Sequence, residues 1–169
     1  MDDVTDCSIA PLDNDSDAKA CASLMAISEP WLTLGRTYEA SLSVILDPSR
    51  EVYVLRDDSA VGGFLILCMT GAFVGYIQTI CIHPDQRGRG LGSQLVAFAE
   101  QRILAQFPNV FMCVSSFNPD ARRLYERLGY SVVGELTDYI VQGHSEILLR
   151  KTLGPLTGFL PPPTVASRS

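Results

Sequence analysis

The segment ICIHPDQRGRGLGSQL, residues 80–95, constrains this chain more than any other. An apolar strand runs into His83-Pro84, a turn holding Gly88, Gly90 and Gly92 follows, and an amphipathic helix begins. Such a strand–turn–helix leaves backbone N–H groups unpaired at the positive end of the helix, where phosphate is favoured. The glycines let a ligand approach the backbone with no Cβ in the way. Arg87 and Arg89 place positive charge in the same turn. Two other phosphate turns fail on residues. A Walker-type loop needs Gly-Lys-Ser/Thr, and no Lys is near. A dinucleotide fingerprint needs a third Gly where Ser93 stands, and an acid about 20 positions on, where Asn109 and Val110 stand.

The remaining periodicities fill in an α/β domain. Thr5–Ile9 reads as a strand and Asp15–Ile27 as a helix. A second helix is expected from Pro30, because Trp31, Leu34, Tyr38, Leu42 and Ile45 recur at helical spacing. Strands follow over 51–56, 61–69 and 73–82. Residues 59–82 carry no formal charge and imitate a membrane span. Four glycines and a break at Thr70-Gly71 favour two buried strands instead. Arg89–Phe107 is an amphipathic helix with Leu91, Leu95, Phe98, Ala99, Ile103 and Phe107 inward, and Val110–Ser115 a strand. A short helix then has Asn118 to cap it, Pro119 in its first turn and Gly129 to close it. Its expected buried stripe is Ala121, Leu124, Tyr125 and Leu128. Strands at 130–135 and 145–153 complete one domain over residues 1–153. Residues 154–169, with a triple proline, read as a flexible or docked tail.

Composition narrows the function. Six of the 19 acids precede Lys19, so the rest of the chain carries 13 of each sign. A net charge of −6 argues against nucleic acid as a partner, and no membrane association is expected. Cys7, Cys21, Cys68, Cys81 and Cys113 are scattered, and His83 and His144 stand apart from them. That is a pattern of reduced thiols with no metal site, in a cytoplasmic setting without a signal peptide.

A second motif lies about 30 residues past the glycine turn. NPDARRLYERLGY supplies Asn118, Ala121, Tyr125, Gly129 and Tyr130 at fixed intervals. Together with Arg87-x-x-Gly90-x-Gly92, this segment resembles the GNAT superfamily of acetyl-CoA-dependent N-acetyltransferases, over Thr5 to about Leu153. The resemblance implies a mixed, mostly antiparallel sheet of about seven strands flanked by about four helices, splayed at the acyl-CoA site. It implies that the backbone of Ile80, Cys81 and Ile82 pairs with the pantetheine arm, and that Arg87, Gly88, Arg89, Gly90, Leu91 and Gly92 hold the pyrophosphate. Asn118 is expected near the pantetheine, with helix capping as a compatible role, and Tyr125 beside the thioester sulfur.

The implied reaction is direct attack of a primary amine on the acetyl carbonyl, through a tetrahedral intermediate that expels CoA thiolate. A phenol near sulfur can protonate that leaving group, and a backbone N–H near residues 80–82 can stabilise the oxyanion. The base stays open. Strand 73–82 carries no carboxylate, which leaves a water or the late loop with Asp138, Tyr139, His144 and Glu146. No base as dominant as Tyr125 is expected. The acceptor side is assigned to Trp31, Tyr38, Glu39, Tyr139, His144 and Glu146, a set suited to a cationic small-molecule or peptide amine. A homodimer is compatible with the sequence. The rival functions are a non-catalytic acyl-CoA-binding module and a protein N-terminal amine acetyltransferase.

Overall fold

The computed structural model describes residues 7–57 and 60–163. Thr5 and Asp6 of the expected first strand lie outside the described residues. The chain runs β1 (Cys7–Pro11), α1 (Asp15–Ala26), α2 (Tyr38–Ile45), β2 (Glu51–Asp57), β3 (Ala60–Cys68), β4 (Tyr76–Ile82), α3 (Leu91–Leu104), β5 (Asn109–Ser115), α4 (Pro119–Arg127), β6 (Ser131–Leu136) and β7 (Glu146–Thr152). The strands form a seven-stranded sheet in the order β1-β2-β3-β4-β5-β7-β6. Every neighbouring pair is antiparallel except β4 with β5.

Helices cover both faces, which is why β3 reads as an unbroken apolar run rather than an alternating one. Leu65 and Leu67 pack beneath α3, with Leu91, Leu95, Ala99 and Ile103. Phe64 and Ile66 point the other way, against Cys21, Met25, Trp31 and Ile45 of the α1–α2 layer. Burying each such Leu, Ile or Phe contributes about 1.5–3 kcal/mol. The uncharged segment that imitates a membrane span is thus two strands. Among the described residues no helix is long and apolar enough to cross a membrane.

The helix expected from Pro30 starts later. Residues 29–35 are turns, and Gly35 at φ 68° lets Arg36 N–H reach back to Trp31 C=O at 3.0 Å. That closing bond ends one turn of chain. Thr37 then starts α2 afresh, its hydroxyl accepting from Ala40 N–H at 3.2 Å. Nor does β4 begin at Phe73. Residues 71–75 bend, Phe73 stays exposed against the Phe111 ring, and the strand opens after Gly75. Leu153 lies past the end of β7, its N–H bonded to Pro108 C=O.

Candidate functional site

The parallel pairing of β4 and β5 is short. Tyr76 pairs with Phe111 and Ile77 with Met112, and among the described residues the two strands pair no further. On its other edge β4 stays bonded to β3 as far as Ile82. His83 N–H bonds to Gly62 C=O across β3 at 2.8 Å, so alternation turns the N–H and C=O of Ile80 and Ile82 to the opposite edge. Those groups face the gap that β5 leaves. Cys81 turns its backbone to Phe64 on β3 and its side chain into the core, where burial pushes the thiol up to about 12.

The gap opens into a cleft of about 1090 Å³. Its lining includes Ile80, Cys81, Ile82, Arg87, Gly92, Asn118, Tyr125, Trp31, Tyr139 and Glu146 from the sequence-based set. At one end stands the N-terminus of α3. Gly90 caps it at φ 79° with no side-chain hydrogen bond, and the first intrahelical bond is from Gln94 N–H to Gly90 C=O. The amides of Leu91, Gly92 and Ser93 therefore have no intrahelical acceptor. A Cβ at Gly88 or Gly90 would meet nothing within 4 Å, so the turn is open above its backbone. Arg87 lines the cleft and donates to Ile82 C=O at 3.4 Å. Arg89 instead donates to Asp57 at 2.6 Å and to Gln86.

On the α3–α4 face, α4 forms a wall. Asn118 Oδ1 accepts from Ala121 N–H at 3.3 Å, which starts the helix and places Ala121, Leu124 and Tyr125 along the cleft. The expected stripe on α4 is half-buried, not fully buried, because its inner side meets the cleft as well as the core. The Tyr125 ring packs edge-on to Tyr130 at 6.3 Å, and its hydroxyl has no hydrogen-bond partner among the described residues. Burial pushes the phenol up to about 12, so it holds its proton at neutral pH.

On the opposite face, the α1–α2 layer covers β2 to β4 and leaves β5 and β7 open. Tyr76, Thr79, Cys113, Ser115 and Glu146 line this side, beneath Trp31 and Arg36 of the α1–α2 segment and Tyr139 of the β6–β7 connection. Glu146 is 4% exposed and accepts the Ser115 hydroxyl at 2.6 Å. Burial raises its carboxyl above the ordinary carboxylate value, and the Ser115 hydrogen bond pulls it part of the way back. Burial likewise raises Tyr76 and Cys113.

Three of the expected acceptor residues are not in the cleft lining. Tyr38 packs against the α1–α2 core, and Glu39 is exposed on α2, because that helix starts only at Tyr38. His144 packs edge-on to Phe117, a residue of the lining, at 4.8 Å. Ser115, Arg36 and Phe117 were not singled out from sequence. Ser115 meets Glu146 only because β5 pairs with β7 across 31 positions, and no local signal marks that pairing. Among the described residues, no three His, Cys, Asp or Glu side chains gather as metal ligands.

Residues 17–130 match the sequence profile of the Acetyltransferase (GNAT) family. The chain is 31% identical over 90 residues to a blasticidin-S acetyltransferase of Streptomyces morookaense. That match covers 49% of this chain and 66% of the relative, just under two thirds of its length. The fold is similar to that of an aminoglycoside 6'-N-acetyltransferase complexed with coenzyme A, with a TM-score of 0.70 at 16% identity, over 88% of this chain and 98% of that one. It is also similar to the ribosomal-protein-S18-alanine N-acetyltransferase of Escherichia coli, with a TM-score of 0.71 at 18% identity, over 91% and 98%.

Proposed function

Because this chain belongs to the GNAT family of acetyltransferases, we propose that it moves the acetyl group of acetyl-CoA to a primary amine. The carrying observation is the early end of the β4–β5 pairing, which leaves an unpaired strand edge beside a glycine turn at a helix N-terminus. An extended pantetheine amide arm needs such an edge, and a diphosphate needs such a turn. In this reading the Ile80 and Ile82 backbone holds the arm. The amides from Gly88 to Ser93 hold the diphosphate, with Arg87 as its cation. Asn118 contributes its side-chain N–H₂, since its oxygen caps α4.

Acetyl-CoA supplies an activated acetyl group and a thiol leaving group. Tyr125 keeps its phenolic proton and gives it to the departing sulfur. Trp31 and Tyr139 shape the acceptor side, and the acceptor enters from the face that α1 and α2 leave open. Trp31 also packs in the core, so it works as a fixed wall. We place the enzyme in a reducing, cytoplasmic setting, which suits the buried thiols Cys21 and Cys81. A pairing of two copies belongs to the same reading and is checked by mass in solution.

The test is thiol release from acetyl-CoA with spermidine, an aminoglycoside, an amino-acid amide and a peptide bearing a free N-terminus, with the product weighed by mass spectrometry. Product on a small amine supports the proposal. Product on the peptide alone moves the acceptor to protein N-termini. Tight acetyl-CoA binding with no turnover on any amine would make this a binding module and overturn it.

A further inference from the structure

We propose that Glu146, held by Ser115, binds the ammonium group of the acceptor and takes its proton, so that acceptors are recognised through one primary ammonium. This rests on the acetyl-transfer reading above and names the residue that serves its acceptor side. The geometry singles out Glu146 among the acids of the cleft. Glu29 accepts Thr33 N–H and hydroxyl at 3.2 and 3.1 Å, and Asp120 is paired with Arg123. Glu146 is buried, and its Oε1 accepts Ser115 at 2.6 Å. Its Oε2 has no hydrogen bond among the described residues, and Glu146 lines the cleft. A buried carboxylate with one oxygen unused calls for a cationic partner.

Position supports the assignment. Glu146 opens β7 directly opposite Ser115, the last residue of β5. Its neighbour Ile147 packs into the α3-side core with Tyr125, so alternation turns Glu146 to the other face of the sheet, and Glu146 and Tyr125 both line the cleft. An amine in that cleft can meet a base in Glu146 and an acid in Tyr125. Ser115 and Cys113 on β5 and Tyr76 on β4 interact with Glu146. Tyr139 of the β6–β7 connection and Arg36 and Glu29 of the α1–α2 segment line the same cleft, while His144, two residues before Glu146, packs on Phe117. Burial raises the Cys113 thiol and the Tyr76 phenol above their ordinary values, so both stay protonated beside Glu146. Burial also makes Glu146 a stronger base than an exposed carboxylate.

The step balances. The Glu146 carboxylate accepts one proton from the ammonium. The freed nitrogen lone pair forms the C–N bond to the acetyl carbon and moves the carbonyl π pair onto oxygen. The tetrahedral intermediate then collapses, the C–S bond breaks, and that electron pair leaves with sulfur. Tyr125 gives its proton to sulfur, and the second proton of the nitrogen restores the phenol. The products are an amide and a thiol, and the proton on Glu146 passes to solvent.

The experiment compares wild type, Glu146→Gln and Ser115→Ala on the best amine of the panel, from pH 5 to 9. Glu146→Gln keeps shape and the Ser115 contact. Its kcat/KM is expected to fall about 100-fold or more, with the acidic inflection of the profile lost and acetyl-CoA affinity by calorimetry unchanged. Ser115→Ala removes a bond to the ionised form, so the inflection should move to higher pH. A loss under about 10-fold with the inflection retained overturns the proposal. If wild type turns over none of the amines, the transfer reading fails by itself. A carboxyl NMR titration of Glu146 with spermidine then decides the anchor. An ammonium beside the carboxylate lowers the midpoint, and an unmoved midpoint overturns the proposal.

Discussion

Arg89 Nη1 stands 2.6 Å from Asp57 Oδ2, so one of the two arginines in the glycine turn is tied back to the end of β2. Arg87 lines the cleft and has no carboxylate partner among the described residues. The two arginines should therefore separate on substitution. Arg87→Ala is expected to weaken acetyl-CoA binding about 10-fold, or about 1.4 kcal/mol. Arg89→Ala should cost less than about 3-fold, because its ion pair is half-exposed and contributes about 0–1 kcal/mol to holding the turn. Isothermal calorimetry at two salt concentrations checks both, and equal losses would mean that both cations reach the ligand.

Gly90→Glu tests the turn itself. A side chain there meets open space, so the clash is with the ligand and not the protein. At φ 79° the substitution also strains the backbone by about 1–2 kcal/mol. Acetyl-CoA affinity should fall at least 10-fold, by about 1.4 kcal/mol or more, while the variant stays folded. Unchanged affinity by calorimetry would remove the turn from the cofactor site.

Tyr125→Phe should lower kcat about 10²–10⁴-fold and leave acetyl-CoA binding nearly unchanged, since only one oxygen is lost. The pH profile adds a second check. The phenol is pushed up to about 12, so it stays protonated from pH 7 to 10 and causes no fall in rate there. A falling limb near 10 that vanishes in the Phe variant would mean that the phenol titrates as an exposed one does.

Gly75→Ala should damage the fold and not the chemistry. Gly75 has φ 82°, and a Cβ would lie 2.5 Å from Ile103 Cγ2 and 2.6 Å from Asn109 oxygen. Left-handed strain and overpacking together cost about 3 kcal/mol. That should lower Tm by about 10 °C in scanning calorimetry for a chain of this size. A Tm within 2 °C of wild type would show that the turn opening β4 can shift.

Ending the chain after Leu153 should leave Tm and activity close to those of the full chain. Residues 154–163 are mostly exposed, with Leu160 at 86%. Phe159 is half-buried and is the residue that could hold the tail in place. A large drop in Tm, or a change in solution mass, would show that the tail docks.

By itself the sequence determined the element order, the two motifs and the family, because glycines, caps and apolar periods act over a few residues. Gly90 needs its left-handed conformation wherever the chain goes, and Asn118 caps Ala121 within its own turn. Local signals also misled. The spacing from Trp31 to Ile45 looked helical, yet Gly35 and Thr37 end one turn and start another, which takes Tyr38 and Glu39 out of the cleft. What only the tertiary structure decided was which distant pieces meet. The end of β4–β5 pairing after Ile77 and Met112 is set by how the sheet diverges, not by any residue in β4 alone. The contact of Ser115 with Glu146 exists because β7 inserts between β5 and β6, and the energy that fixes this order is spread over both buried faces.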